Sequence, residues 1–165
     1  MFGFLFKKKK VVVTARRPVV RNVDFYNPPE EPPLFQLPEK EGIKPWEKRK
    51  LDSFNRALEA GRSRYINSIS EGGFAAFPAA ELTKVMIGVE SGIDWSKRWV
   101  DAGGSFYAGR MIARVDSPIW AKISDFGVPY EPFDRTGEYG LSAVSRSECI
   151  ELGIYVPPTR RSRWE

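Results

Sequence analysis

Apolar positions recur at helical spacing over one long stretch: Trp46, Phe54, Leu58, Tyr65 and Ile69, with Lys50 in the same series and charges between them. Pro45 opens this stretch, and proline at the first helical position loses nothing because that N–H has no helical partner. The pattern predicts a helix from Pro45 to about Glu71-Gly72-Gly73. Gly61 weakens its middle by about 1 kcal/mol relative to alanine. The apolar stripe is a packing face.

Beyond the glycines, Phe74–Pro78 reads as a hinge and Glu81–Val89 as a strand with one buried face. Ser91–Ala102 predicts a short helix capped by Asp94, with Trp95 and Trp99 on one side and Gly103-Gly104 as its stop. Ser105–Val115 reads as a second strand. Ser117 and Pro118 then open a two-turn helix whose apolar face is Ile119, Trp120 and Ile123 and which Gly127 ends. Pro129 and Pro132 hold Val128–Asp134 extended. Ser145 and Glu148 predict a capping box on a last helix, with Ile150 and Leu152 inward and Gly153 as its end. The sum is a small α+β module over 45–156, with an extension at 1–44 and a basic tail at 157–165. Of the five tryptophans, all but Trp164 are expected mostly in the core.

The extension has three parts. Met1–Phe6 is an aromatic patch ahead of four lysines, the reverse of a secretory leader, and too short for one. Val11–Val23 carries β-branched clusters interrupted by Pro18, which suits an edge strand or an extended arm. Asn27–Pro45 holds six prolines among acids and predicts extended, polyproline-like backbone. Residues 1–44 are expected to take their order from a neighbour.

Charge sharpens this division. Residues 1–21 carry seven basic side chains and no acid, which leaves the rest of the chain at −2 against a total of +5. The basicity is an arm. Lys7, Lys8, Lys9, Lys10, Arg16, Arg17 and Arg21, with Arg160, Arg161 and Arg163 in the tail, are the candidate contacts for phosphate or for an acidic partner. Phe2, Phe4, Phe6 and Trp164 are the candidate anchors into a partner.

Chemistry is harder to find. Histidine is absent, so imidazole triads and thiolate–imidazole zinc sites are excluded. The one cysteine, Cys149, cannot form an internal disulfide and fits a reducing compartment; it reads as a small buried hydrophobe. No run of apolar residues is long enough to span a membrane. Asp116, Asp125 and Asp134 are evenly spaced, as in a degenerate metal-dependent nuclease, but caps and turns use the same residues. Gly103-Gly104-Ser105 and Gly137-Glu138-Tyr139-Gly140 read as turns, since neither has the spacing or the lysine of a phosphate loop. The expectation is no catalytic residue, no cofactor and no metal.

Asp116-Ser117-Pro118-Ile119-Trp120, followed by Val128-Pro129-Tyr130-Glu131-Pro132-Phe133-Asp134, resembles the C-terminal part of the head-morphogenesis (minor head) proteins of Mu-like tailed phages and prophages. The likeness runs over about 75–156, with Pro78-Ala79-Ala80-Glu81-Leu82 and Arg110-Met111-Ile112-Ala113 as its lead-in. The family's histidines and Cys-Arg-Cys-like ending are missing here, so no enzymatic residue carries over. The resemblance implies a non-enzymatic virion or head-assembly protein, oligomeric within an assembly. Its partners would be portal, capsid or connector proteins, with DNA as a further candidate, in the virion and, during assembly, in the bacterial cytoplasm. The alternative is a nucleic-acid-binding accessory protein that uses the basic termini.

Overall fold

A computed structural model describes residues 27–157. They form an α+β unit with the order α1 (Pro45–Ile69), α2 (Glu71–Ala76), β1 (Ala79–Lys84), α3 (Trp95–Asp101), β2 (Phe106–Tyr107), β3 (Arg110–Arg114), α4 (Ile119–Ile123), β4 (Tyr139–Val144) and α5 (Arg146–Glu151). The four strands make one antiparallel sheet in the order β2-β3-β1-β4.

Strand alternation gives the sheet two different faces. Ala80 and Leu82 stand beside Ala113 and Leu141 by register and join the larger core with Leu58, Trp99, Trp120, Tyr130 and Phe133. The indoles of Trp99 and Trp120 lie 5.5 Å apart, and Phe133 stacks on Trp120 at 6.2 Å. Both ring N–H groups are satisfied inside this core: Trp99 donates to the Ser105 carbonyl (3.0 Å) and Trp120 to the Arg114 carbonyl (2.8 Å). On the opposite face Ala79, Ile112 and Val144 pack under Cys149 of α5. Burial pushes the Cys149 thiol up, as expected of an inert packed cysteine.

Several elements differ from the sequence reading. The long helix stops at Ile69 because Ser70 turns extended and caps a second helix, its hydroxyl accepting from the Gly73 N–H at 3.2 Å. Glu71–Ala76 is therefore helix, and the expected hinge at Phe74–Pro78 shrinks to Phe77-Pro78. β1 ends at Lys84, not Val89, and Val85, Met86 and Ile87 leave the sheet as an exposed tip. The expected strand over Ser105–Val115 is a hairpin, turned at Ala108 (φ 50°) and Gly109 (φ 78°). α4 has only five residues: Pro118, not Ser117, occupies its cap, and Ser124 ends it ahead of Gly127.

β4 begins inside the Gly137–Gly140 stretch read as a turn: Gly137 (φ 65°) turns, while Tyr139 and Gly140 already pair with β1. In α5 the Ser145 hydroxyl does accept from the Glu148 N–H (3.3 Å), but the Glu148 carboxylate reaches Arg110 (2.5 Å) instead of closing the box. Cys149, not Ile150, is the inward residue; Ile150 is exposed and Leu152 half-buried. Trp46 is exposed too, with Lys50 over its ring.

Candidate docking site

Residues 27–40 carry no regular secondary structure, yet residues 31–37 are bonded to the module as a strap. Tyr130, 1 % exposed, pins it: its hydroxyl donates to the Pro33 carbonyl (2.7 Å) and accepts from the Phe35 N–H (3.0 Å). Arg62 of α1 donates to the Pro32 carbonyl (2.8 Å) and pairs with Glu31 (3.3 Å). Asn55 takes the Leu37 N–H at 3.1 Å. Phe35 packs on Phe126, which in turn meets Phe54. The proline composition predicted backbone without helix or sheet bonds of its own, whose amides need outside partners, and no helix or strand is assigned over 27–40. The module itself supplies such partners between Glu31 and Leu37.

Beside the strap, a mainly apolar groove of about 330 Å³ opens between α1, α2 and the sheet, lined by Gly61, Tyr65, Phe77, Ala80, Tyr130 and Leu141 among others. Its wall is set by a close approach: a Cβ at Gly61 would collide with the Glu131 carbonyl. Glu131, joined to Pro132 by a cis peptide bond, pairs with Arg64 (2.9 Å) and accepts from the Leu141 N–H, which covers part of the free edge of β4.

The second exposed apolar feature is the tip Val85–Ile87, where Ile87 is 99 % exposed. Its base is fastened by Glu138. The Glu138 carbonyl accepts from Val85 N–H (2.8 Å) and Met86 N–H (3.2 Å). The Glu138 carboxylate accepts from the Ser91 hydroxyl (2.6 Å) and N–H (2.7 Å) and pairs with Lys84 (2.9 Å). The Ser91 hydroxyl, then Lys84, then the Ser91 amide hold this carboxyl down at about 2. The same bond to Glu138 raises the Lys84 ammonium. Sequence reasoning missed the tip because it read three consecutive apolar residues as strand, although a one-faced strand can use only alternate ones.

The three aspartates are held apart by separate tasks. Asp116 receives two bonds from Arg114 (2.9 and 2.7 Å). Asp125 pairs with Arg98 (2.8 Å). Asp134, 2 % exposed, takes the N–H groups of Thr136 (3.1 Å) and Gly137 (2.7 Å) and the Thr136 hydroxyl (2.7 Å), an Asx turn. Among the described residues no group of three or more Asp, Glu, His or Cys side chains could hold a metal ion. Asp116, Ser117 and Pro118 do share a shallow cleft of about 610 Å³ with Gly103, Gly104 and Ser105. The glycine turn there serves packing, since a Cβ at Gly104 would press into the Trp99 ring.

Lys7, Lys8, Lys9, Lys10, Arg16, Arg17, Arg21, Arg160, Arg161 and Arg163, and the anchors Phe2, Phe4, Phe6 and Trp164, lie outside the described residues. So does the expected edge strand at Val11–Val23. Among the described residues no helix is long and apolar enough to cross a membrane. No family model matches this chain, and no curated protein or solved structure is significantly similar to it.

Proposed function

We propose that this chain is a non-enzymatic structural or head-assembly protein of a tailed phage or prophage particle, docking on portal, capsid or connector proteins through its arms. The strap carries the reading. A proline-rich segment bolted to the module by Tyr130 and Arg62 is a fixed root from which a basic, aromatic-tipped arm extends to a neighbour. The likeness of 116–134 to Mu-like minor head proteins supplies the virion setting. The Val85–Ile87 tip offers a second, prebuilt apolar contact of the kind protein interfaces bury. Mass spectrometry of purified particles from a producing strain tests this: the chain is expected in the particles, and its recovery only from host lysate overturns the reading.

A second reading, nucleic-acid binding, gains from α1. Lys48 and Arg49 are exposed near its start and make no ion pair among the described residues. It requires DNA binding that weakens steeply with salt and falls on deletion of residues 1–21. Equal binding by the truncated chain removes the arm from that role.

A further inference from the structure

β4 is the outermost strand of the sheet, and one of its sides has no strand beside it among the described residues. In an antiparallel ladder successive residues turn their N–H and C=O groups alternately toward the paired strand and away from it. Two bonds fix the phase. The Val85 N–H meets the Glu138 carbonyl, whereas the Leu141 N–H points off the sheet to the Glu131 carboxylate. Leu141, Ala143 and the extended Ser145 (φ −64°, ψ 155°) therefore turn their N–H groups outward. Glu131 stands where the carbonyl of a further strand would accept from Leu141. Beyond it come the Leu141 carbonyl, the Ala143 N–H, the Ala143 carbonyl and the Ser145 N–H, and none of them has a partner among the described residues.

This edge reads acceptor, donor, acceptor, donor, and the complement of that charge pattern is the backbone of an extended chain. A strand laid antiparallel, with one residue opposite Ala143, would exchange two bonds with it. The residues two before and two after would meet the Ser145 N–H and the Leu141 carbonyl. Cross-strand partners share a face, so the side chain opposite Ala143 lies on the side of Ala80, its partner in β1. There the 330 Å³ groove opens, floored by the small side chains Ala80 and Ala143 and walled by Tyr65 and Phe77. A second copy of β4 fits this poorly: paired about Ala143, it would set one methyl against another and leave the groove unfilled. We propose that the outer edge of β4 is a strand-addition site for an extended segment of another protein, with a large apolar residue opposite Ala143. The site concerns β4 and its groove, so its failure would leave the virion reading standing.

Hydrogen exchange in the full chain, followed by NMR, tests it. In the chain alone the Ala143 and Ser145 amides are expected to exchange at least about tenfold faster than those of Ser142 and Val144, which bond to β1. The probe is the peptide acetyl-Lys-Thr-Thr-Leu-Thr-Thr-Lys-amide at about 1 mM, and it is expected to slow both amides at least about threefold by mass action. Two control peptides are expected to have no such effect. One is N-methylated at the leucine and so lacks the N–H that would meet the Ala143 carbonyl; the other carries lysine in place of leucine. Protection of Ala143 and Ser145 without peptide would mean that this chain or a second copy already covers the edge, and overturns the proposal. No slowing by the leucine peptide, or equal slowing by all three, overturns it as well.

Discussion

The carboxylate of Glu138 accepts both the hydroxyl and the N–H of Ser91, at 2.6 and 2.7 Å, and so ties the far end of the 85–91 loop to the residue that also holds its near end. With the Glu138 carbonyl on Val85 and Met86, one residue closes the loop on both sides. An apolar tip held in this way keeps its shape before a partner arrives, which reduces the ordering cost of binding.

This relationship sets a pH dependence. The Glu138 carboxyl is held at about 2 against an ordinary 4.5, so its contribution is complete above pH 4.5 and fades as pH falls toward 2. Thermal melts of the wild type and Glu138→Gln from pH 6 to 2 are expected to differ most at pH 6 and to converge at the acid end. A constant gap across that range would show that Glu138 does not titrate as a bound carboxylate.

Tyr130→Phe removes one hydroxyl and two bonds to the strap. The expected cost is about 1–2 kcal/mol, or roughly 3–6 °C in Tm, with faster hydrogen exchange at Phe35. If Tm falls while Phe35 exchange is unchanged, the hydroxyl acts elsewhere than on the strap.

Gly61→Ala inverts the helix-propensity rule. Alanine is the better helix former by about 1 kcal/mol, yet its methyl would meet the Glu131 carbonyl, and forced overpacking costs about 1–3 kcal/mol. Net destabilisation in urea unfolding is expected; a more stable variant would mean that α1 and the Glu131 segment separate at little cost.

The aspartates should separate by burial. Asp134→Ala leaves the Thr136 and Gly137 N–H groups without their acceptor and is expected to cost about 1–3 kcal/mol, whereas Asp116→Ala breaks one partly exposed ion pair worth about 1 kcal/mol or less. Both are measured by chemical denaturation. Magnesium-dependent DNA cleavage by the wild type that either variant abolishes would instead revive the nuclease alternative.

Ile87→Ser should leave Tm nearly unchanged, within about 0.5 kcal/mol, because the side chain touches solvent. Under the docking reading the same variant is expected to co-sediment less with particles. Undiminished incorporation would relieve the tip of that role.

What could be read from the residues depended on whether the signal was local. Asp94 capping α3, Ser145 capping α5 and Pro45 opening α1 are short-range chemistry, and each was legible. β4 was not, because Tyr139–Val144 offers a glycine and a serine to one face and is a strand chiefly through its pairing with β1, more than fifty residues away. The tip was misassigned for a similar reason: what ends β1 at Lys84 is the Glu138 carbonyl, a partner supplied by a distant turn. The strap's composition announced extended backbone, but only the Tyr130 hydroxyl and Arg62 reveal where it lies.

Tyr130 also imposes an order of events on the growing chain. Pro33 and Phe35 precede it by 97 and 95 residues, so the strap leaves the ribosome long before its anchor exists. At 5–20 residues per second that interval is roughly 5–20 s. The segment made first among the described residues is therefore among the last to be fastened. During that interval the strap's Phe35 N–H and Pro33 carbonyl have only water as partners.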